Sequence, residues 1–311
     1  MTEPLSLVID TDTASDDAVA LLMAARSPHA TIRAVTTVAG NVPLPMATRN
    51  ALVTLELVGA TAVPVYEGLA GPLMRTLSTA QNVHGDDGMS GVSFPAPTMS
   101  IEREHAVDAL RLIAAAEPGQ HTLVTLGPLS TVAAALLVDP ELLTRFRHVY
   151  LMAGAFDGIG NVHSVGEFNV WADPEAATIV FNAAGDKTFV GWDMSWRYAV
   201  MNPDEQSALA AVGPLGEFVV GINACVDEFA RVHSGLVGLD LPDPIAMAVA
   251  LDPSIATSQP CHVTVGLDDI GRGGTFVDRR LPAMTPNANY ITSVDEARFK
   301  TMLTKACTPT S

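Results

Sequence analysis

The sequence contains little cysteine, few basic residues and little charge overall. It has three cysteines in 311 residues, and their odd number and wide spacing form neither a disulfide framework nor a set of metal ligands. Charged residues make up 16% of the chain, with 17 Lys and Arg against 34 Asp and Glu. The net charge of -17 repels phosphate backbones and anionic lipids. We therefore expect neither a nucleic acid nor a membrane as a partner of this protein.

Long apolar runs are absent from the sequence as well. No run reaches the roughly 18 residues that a membrane-spanning helix needs, and the N-terminal segment lacks the basic and apolar regions of a secretion signal. We expect a cytoplasmic protein with reduced thiols. Hydrophobic residues make up 48% of the chain, enough to bury a large core. Because no linker or repeat divides it, we expect residues 1–311 to form a single domain.

Apolar runs typical of buried strands alternate with helical patterns along the chain. Strands are expected at residues 5–9, 32–38, 122–126, 149–153 and 188–191, and helices at residues 18–25, 46–58, 131–137 and 174–184. This alternation indicates an α/β fold, in which a mostly parallel sheet carries helices on both faces. Such sheets bind ligands at the carboxyl ends of their strands. Residues 203–251 have a mainly helical pattern and are expected to form a cap beside the sheet.

Four aspartates lie within eight residues directly after the first predicted strand: Asp10, Asp12, Asp16 and Asp17. Carboxylates this close together resist ionising without a countercharge. A hard divalent cation with oxygen ligands can supply that charge. A helix N-terminus alone would account for Asp16 and Asp17, since acidic residues favour the first turn. It would not account for Asp10 and Asp12, so we expect a metal site or a catalytic site here.

The run Asp10–Ala18 resembles the opening motif of the nucleoside hydrolases of the inosine-uridine preferring type. Further blocks match that family in the same order: Gly40-Asn41, His84–Gly88, Leu126–Leu129, Met152–Ala155, Glu167–Val170, Asp173–Ala177 and Asp243-Pro244. The resemblance implies an open, mixed, mostly parallel sheet with a Rossmann-like core. It also implies an enzyme that hydrolyses the N-glycosidic bond of ribonucleosides to a free base and ribose.

The resemblance further implies one Ca²⁺ ion at the floor of the pocket. Asp12, Asp17 and Asp243 would be its carboxylate ligands, and the backbone carbonyl of Leu126 would be another ligand. Family members often carry Thr at the position of Leu126, a change that a backbone ligand tolerates. Asp12 would also be the general base that activates a calcium-bound water for attack on an oxocarbenium-like ribosyl centre.

A small-molecule ribonucleoside is the substrate that the resemblance implies, and a homodimer or homotetramer is the implied assembly. The residues expected to bind the substrate, mainly through its ribose hydroxyls, are Asp16, Asn41, Met152, Asn161, Glu167 and Asn169. The carboxylate and amide oxygens among them suit a transition state in which positive charge develops on the sugar. The preferred base does not follow from the sequence.

The chain departs from the family at Pro242. Many members carry His directly before the calcium-binding Asp, and that His helps to protonate the leaving base. Proline has no proton to donate. Two histidines are the candidates for a catalytic contact with the base instead. They are His84, in the matching loop motif, and His233, after a helical stretch.

Two other functions remain compatible with the acidic cluster. Phosphatases of the haloacid dehalogenase kind also begin with Asp-x-Asp after a strand, and Asp10 and Asp12 fit that pattern. However, Ala14 stands where their motif has Thr or Val. A calcium-dependent protein that binds ribose or nucleosides without hydrolysing them would explain the missing His before Asp243. Retention of Asp12, the expected base, favours the enzyme.

Overall fold

The computed structural model describes residues 4–309. Its strands are β1 (Leu5–Thr11), β2 (Ala30–Thr37), β3 (Val65–Glu67), β4 (His121–Thr125), β5 (His148–Met152), β6 (Lys187–Val190), β7 (Ala256–Cys261), β8 (Val263–Val265), β9 (Thr275–Val277) and β10 (Ala288–Val294). Residues 1–3, part of the segment considered above for a secretion signal, and residues 310–311 lie outside the described range.

Its helices are α1 (Ser15–Arg26), α2 (Leu44–Leu57), α3 (Gln81–His84), α4 (Ala106–Ala116), α5 (Ser130–Val138), α6 (Phe168–Ala172), α7 (Pro174–Asn182), α8 (Trp192–Tyr198), α9 (Pro203–Ala210), α10 (Pro214–Ile222), α11 (Ala224–Phe229), α12 (Pro242–Leu251) and α13 (Glu296–Cys307). A π-helical segment, Ala230–Ser234, continues directly from α11. Between residues 4 and 309, no helix combines the length and the apolar character needed to cross a bilayer.

Eight of the strands form one sheet in the order β3-β2-β1-β4-β5-β6-β10-β7. Neighbouring strands are parallel except β10 and β7, which are antiparallel. The mixed, mostly parallel sheet is therefore confirmed, and its first six strands follow the Rossmann order. The antiparallel edge strand β7 was not predicted from the sequence. Most of its side chains are exposed, so it has no apolar run.

The sheet is covered on both faces because successive side chains of a strand point to opposite sides. In β1, Leu7 and Ile9 enter the core beneath α1 and α12, whereas Val8 enters the core beneath α5 and α7. All three side chains are fully buried. This arrangement explains why the strands read as continuous apolar runs in the sequence.

Residues 203–251 form two structurally different parts, which corrects the expectation of one helical cap. The helices α9, α10 and α11 pack on one another and on α3 and α13, as a cap does. In contrast, α12 packs against α1, and its residues from Asp243 to Ala250 are buried. A helix that is apolar on all sides belongs in a core. The cap therefore ends before α12.

The position of the ligand crevice follows from the strand order. β1 lies between β2 and β4, so the chain moves outward from β1 in both directions along the sheet. In open α/β sheets, ligands bind at such a switch point, outside the carboxyl ends of the strands. The acidic cluster follows β1 directly and therefore lies at this edge of the sheet.

Candidate active site

Three buried carboxylates from distant parts of the chain meet at the switch point. Asp16 and Asp17 lie in the first turn of α1, and Asp243 lies in the first turn of α12. One oxygen of each carboxylate lies within 4.8 Å of the corresponding oxygens of the other two. Because α1 packs against α12, the two helix N-termini converge, and the positive ends of their dipoles favour negative charge between them.

Asp12 presents a buried oxygen to the same site. Its Oδ2 atom accepts a hydrogen bond from the backbone N–H of Asn41 at 2.5 Å. Its Oδ1 atom is buried and has no hydrogen-bond partner among residues 4–309. Two glycines make room for this carboxylate: a Cβ atom on Gly127 would lie 2.5 Å from Oδ1, and one on Gly40 would collide with Oδ2. Only glycine permits this close approach of the backbone.

The Asp17 carboxylate accepts more hydrogen bonds than that of Asp12. Its Oδ1 atom accepts from the Thr11 hydroxyl at 2.5 Å, and its Oδ2 atom accepts from the Ala14 N–H at 3.0 Å. The side-chain amide of Asn41 donates to the same Oδ2 atom at 3.3 Å. Asn41 thus links Asp12, through its main chain, with Asp17, through its side chain.

The buried, mutually repelling carboxylates of the site favour a bound cation. Burial raises the pKa values of Asp12, Asp17 and Asp243, and the charges of neighbouring aspartates raise them further. Burial likewise raises the pKa of Asp16 to about 6, and it raises the pKa of Asp10 to about 7. Oxygen donors that repel one another, one of them without a partner in the described chain, are the donor set of a hard divalent cation.

The close carboxylate group differs in part from the expected metal ligands. It includes Asp17 and Asp243, as expected, but its third member is Asp16, which was expected to bind the sugar. Asp12 lies nearby, between Gly40 and Gly127, but outside that group. The carbonyl of Leu126 accepts a hydrogen bond from the Asn169 side chain at 2.7 Å. A carbonyl oxygen has a second lone pair, so it retains the capacity for a metal contact.

The expected sugar-binding residues form a connected wall. Asn169 donates through Nδ2 to the carbonyl of Leu126 and, at 3.1 Å, to that of Met152, so it ties together the ends of β4 and β5. Glu167 caps α6, and it also accepts from the N–H of Gly154 at 2.7 Å. Asn161 accepts from the N–H of Phe168 at 2.8 Å. Burial raises the pKa of Glu167 to about 7.

A cavity of about 130 Å³ joins these groups. All six residues expected to bind the substrate line it: Asp16, Asn41, Met152, Asn161, Glu167 and Asn169. Leu126 and Asp243 line it as well. Its remaining wall is mostly apolar and includes Val83, Val162, Val226, Phe229 and Leu236. The cavity thus has a polar, acidic end and an apolar end.

His84 lines the cavity beside its acidic end. It is buried at the end of α3, and its Nδ1 atom shares a hydrogen bond with the Ser15 hydroxyl at 2.9 Å. The same nitrogen lies 3.7 Å from an Asp16 oxygen. Burial lowers the pKa of His84 to about 4, so the imidazole is neutral near pH 7. It can orient Ser15 and a ligand, but it is a poor proton donor at that pH.

This geometry agrees with a family that the sequence itself matches. The family model for the inosine-uridine preferring nucleoside hydrolases matches residues 7–301. The chain belongs to the nucleoside hydrolase family. It is therefore an N-glycosidase of a metal-dependent family that acts on small-molecule nucleosides. The carboxylates of Asp16, Asp17 and Asp243 are close enough together to hold a metal ion.

Relatives and solved structures of nucleoside hydrolases resemble the whole chain. The pyrimidine-specific ribonucleoside hydrolase RihA of Escherichia coli (strain K12 / MC4100 / BW2952) is 35% identical and covers 96% of this chain and 97% of its own length. The plant nucleoside hydrolase PpNRh1 superposes with a TM-score of 0.93 at 30% identity, over 99% of this chain and 100% of that chain. The purine-preferring ribonucleoside hydrolase of Gardnerella vaginalis has a TM-score of 0.91 at 29% identity, over 97% and 98%.

Of the two histidines expected near the base, this nucleoside hydrolase brings only His84 to the cavity. His233 lies in the π-helical segment, where its side chain is exposed. Its ring packs on Phe229, with 4.6 Å between the ring centroids. Phe229 lines the cavity, whereas His233 is not among the described residues that line it. His233 can therefore support the apolar wall, but it does not reach the reacting groups in this conformation.

Two further residues that line the cavity were not among the site residues expected from the sequence. They are Asp240 and Trp192. The indole Nε1–H of Trp192 donates to Asp240 Oδ2 at 2.9 Å. The signal that could have identified Asp240 is its position in the apolar run Gly238–Pro242. Burying an acid without a partner costs free energy, so an acid in such a run calls for an explanation.

Proposed function

We propose that this nucleoside hydrolase cleaves ribonucleosides with Asp12 as the general base and with Ca²⁺ as its metal. The observation that carries the proposal is the buried, unpartnered Oδ1 atom of Asp12 beside three converging carboxylates. Asp12, Asp17 and Asp243 would hold the ion together with the carbonyl of Leu126. Ca²⁺ suits a large set of oxygen donors without strict geometry. When bound, it would supply a countercharge, orient the sugar diol and acidify a nearby water.

Asp12 has the geometry that a general base requires. The hydrogen bond from Asn41 fixes its Oδ2 atom and leaves Oδ1 free to take a proton. Gly40 and Gly127 lie so close to the carboxylate that a side chain at either position would displace it. The proton of an attacking water passes to Oδ1 as the water oxygen bonds to the anomeric carbon. The base leaves with the electron pair of the glycosidic bond and takes a proton from solvent.

The buried acids and amides at the polar end would stabilise the sugar in the transition state. Glu167 is anchored by backbone N–H groups, and Asn169 is anchored by carbonyls, so both face the cavity without reorganising. Fixed negative charge beside the sugar favours the positive charge that develops on the ribosyl ring. Asp16 and Asn41 would orient the hydroxyls from the other side.

The leaving base receives less help than the sugar. Pro242 offers no proton, and His84 is neutral near pH 7 because burial lowers its pKa to about 4. We infer that ribosides with good leaving groups react faster than common nucleosides. The related enzymes carry names that specify pyrimidine and purine substrates. We propose natural ribonucleosides as substrates.

A panel of substrates tests this proposal. Turnover of inosine, uridine and p-nitrophenyl riboside is measured before and after treatment with a chelator, and again after Ca²⁺ or Mg²⁺ is restored. We expect cleavage of all three ribosides, loss after chelation and recovery with Ca²⁺. Hydrolysis of p-nitrophenyl phosphate without riboside cleavage would instead favour a phosphatase. Binding of ribose or inosine without turnover would favour the binding protein.

Three further expectations from the sequence remain proposals. We propose a homodimer or homotetramer, which sedimentation would measure. We also propose that residues 1–311 act as one domain and that the enzyme works in the cytoplasm. A single cooperative unfolding transition would support the single domain, and fractionation of cells would test the cytoplasmic location.

A further inference from the structure

Asp240 is placed in the cavity wall by an alternating stretch of chain. Leu239 pairs with Met201 through backbone hydrogen bonds of 2.8 and 2.9 Å, which fixes the approach to α12. Leu239 and Leu241 point into the core, whereas Asp240 and Pro242 line the cavity. Side chains two residues apart on an extended chain share a face. Asp240 therefore lies on the same wall as Pro242, on the segment that follows Leu236 of the apolar wall.

Two donors from one turn of α8 hold the Asp240 carboxyl group. The Trp192 Nε1–H donates to Oδ2 at 2.9 Å, and the Ser195 hydroxyl donates to Oδ1. Residues three apart on a helix lie on one face, so both donors approach from the same side. A carboxylate has about four acceptor positions, so those directed away from α8 remain available to a ligand.

The surroundings of Asp240 keep it an acceptor. Burial raises its pKa to about 6, and the hydrogen bonds from Ser195 and Trp192 oppose that rise, so the group is mainly ionised at pH 7.5. No Lys or Arg is found among the described residues that line the cavity. A buried carboxylate without a cationic partner costs stability, which indicates that it serves a ligand.

We propose that Asp240 is a specificity-determining residue that accepts a hydrogen bond from the exocyclic amino group of the nucleobase. This inference rests on the proposed function. It favours ribonucleosides whose base carries an exocyclic amino group, such as adenosine and cytidine. A keto oxygen in place of that amino group, as in inosine and uridine, is a hydrogen-bond acceptor. It would be repelled by the Asp240 carboxylate, which is also an acceptor. A charged hydrogen bond of this kind corresponds to about a 10- to 100-fold preference.

Matched nucleoside pairs test the assignment. The kcat/KM ratios of adenosine to inosine and of cytidine to uridine are measured for the wild type, Asp240→Asn and Asp240→Ala. Each value is divided by kcat/KM for p-nitrophenyl riboside, which has no nucleobase and so reports any general loss of function. We expect the wild type to prefer the amino member of each pair. Asp240→Ala should remove the preference, and Asp240→Asn, which can turn an amide N–H toward the base, should reverse it.

Asp227→Asn is the matched control. Asp227 is a half-buried acid of the cap that accepts from Gln206 and Arg231 and is not among the residues that line the cavity. Its replacement removes one negative charge near the site but should leave both ratios unchanged. A similar shift in this variant would show that overall charge, not a contact by Asp240, sets the preference.

Several results would overturn the inference while leaving the proposed function intact. One is a wild type that cleaves ribosides but prefers neither amino member. Another is a pair of Asp240 variants that slow all nucleosides equally, which would indicate a structural role. If Asp240→Ala does not fold, the nearly isosteric Asp240→Asn carries the test. If the wild type cleaves no riboside at all, the proposed function fails, and dissociation constants for the same pairs then decide the role of Asp240.

Discussion

The two ends of the cavity are built from different parts of the molecule. The acidic end consists of strand ends and helix N-termini, where Asp16 and Asp243 line the cavity and the buried carboxylates of Asp12 and Asp17 lie beside them. The apolar end comes largely from α11, the π-helical segment and the chain that follows it, where Val226, Phe229 and Leu236 face the cavity. The first end is part of the core, and the second belongs to the cap.

This difference indicates how one fold can serve several substrates. A change at the acidic end disturbs the packing of α1 on α12, so that end has little freedom to vary. A change in the cap alters the wall of the cavity without touching the sheet. The related enzymes, which share the fold, bear names that specify different bases. We therefore expect substitutions at the acidic end to affect all substrates equally and substitutions at the apolar end to affect them unequally.

The largest expected effect is that of Asp12→Asn. The amide cannot take a proton from water, so kcat should fall by about 10³-fold or more for every riboside, including p-nitrophenyl riboside. Steady-state kinetics measure the loss, and circular dichroism checks that the variant is folded. A loss confined to some bases would contradict the assignment of Asp12 to the shared chemistry.

Removal of the metal should also affect every substrate. Chelation leaves the repulsion among Asp12, Asp17 and Asp243 without a countercharge, so both activity and thermal stability should fall. Adding Ca²⁺ at 100 times its Kd should stabilise the folded state by about 2.7 kcal/mol. Calorimetry with and without Ca²⁺ measures the shift in Tm. An unchanged Tm together with unchanged activity would show that these carboxylates hold no cation.

Gly127→Ala tests the space around Asp12 without changing a charge. The new Cβ atom would lie 2.5 Å from Asp12 Oδ1, so the carboxylate must move, and kcat should fall by about 10²-fold. Gly221→Ala on α10 is the control, because no described atom beyond its own neighbourhood lies within 4 Å of the added carbon. Equal losses in the two variants would argue against a positional effect on Asp12.

His84→Asn should have an intermediate effect, because His84 lines the cavity beside Asp16 but takes no proton from the attacking water. Loss of the imidazole removes the hydrogen bond to Ser15, and we expect about a tenfold loss in kcat/KM. Since burial lowers the pKa of His84 to about 4, the group does not titrate between pH 5.5 and 8.5. The pH profile over this range should therefore keep its shape in the variant. A lost inflection near pH 6.5 would instead identify His84 as the acid.

The smallest effect is expected for His233→Ala. The side chain is exposed and only supports Phe229, so kcat/KM should change by less than about threefold for p-nitrophenyl riboside. Somewhat larger changes for nucleosides would be consistent with a shifted Phe229. A loss of 100-fold for inosine alone would restore His233 as a residue that contacts the base.

Much of the fold was predictable because its signals are local. The apolar runs of β1, β4 and β5 and the intervening helices are visible in the sequence, since strands buried on both faces carry consecutive apolar residues at their centres. The aspartates after β1 pointed to the site for a similar reason, because four acids cluster within eight residues. The short strand β3 and the polar edge strand β7 were missed, because neither carries an apolar run long enough to be read.

The sequence by itself determined the alternating α/β pattern, the acidic cluster and the family. Only the tertiary structure decided that Asp243 meets Asp16 and Asp17, that Asp240 lies against Trp192, and that His233 stays outside the cavity. The physical reason is distance along the chain. Spacing within one strand or helix sets which neighbours share a face, but contacts between remote segments depend on how whole helices pack.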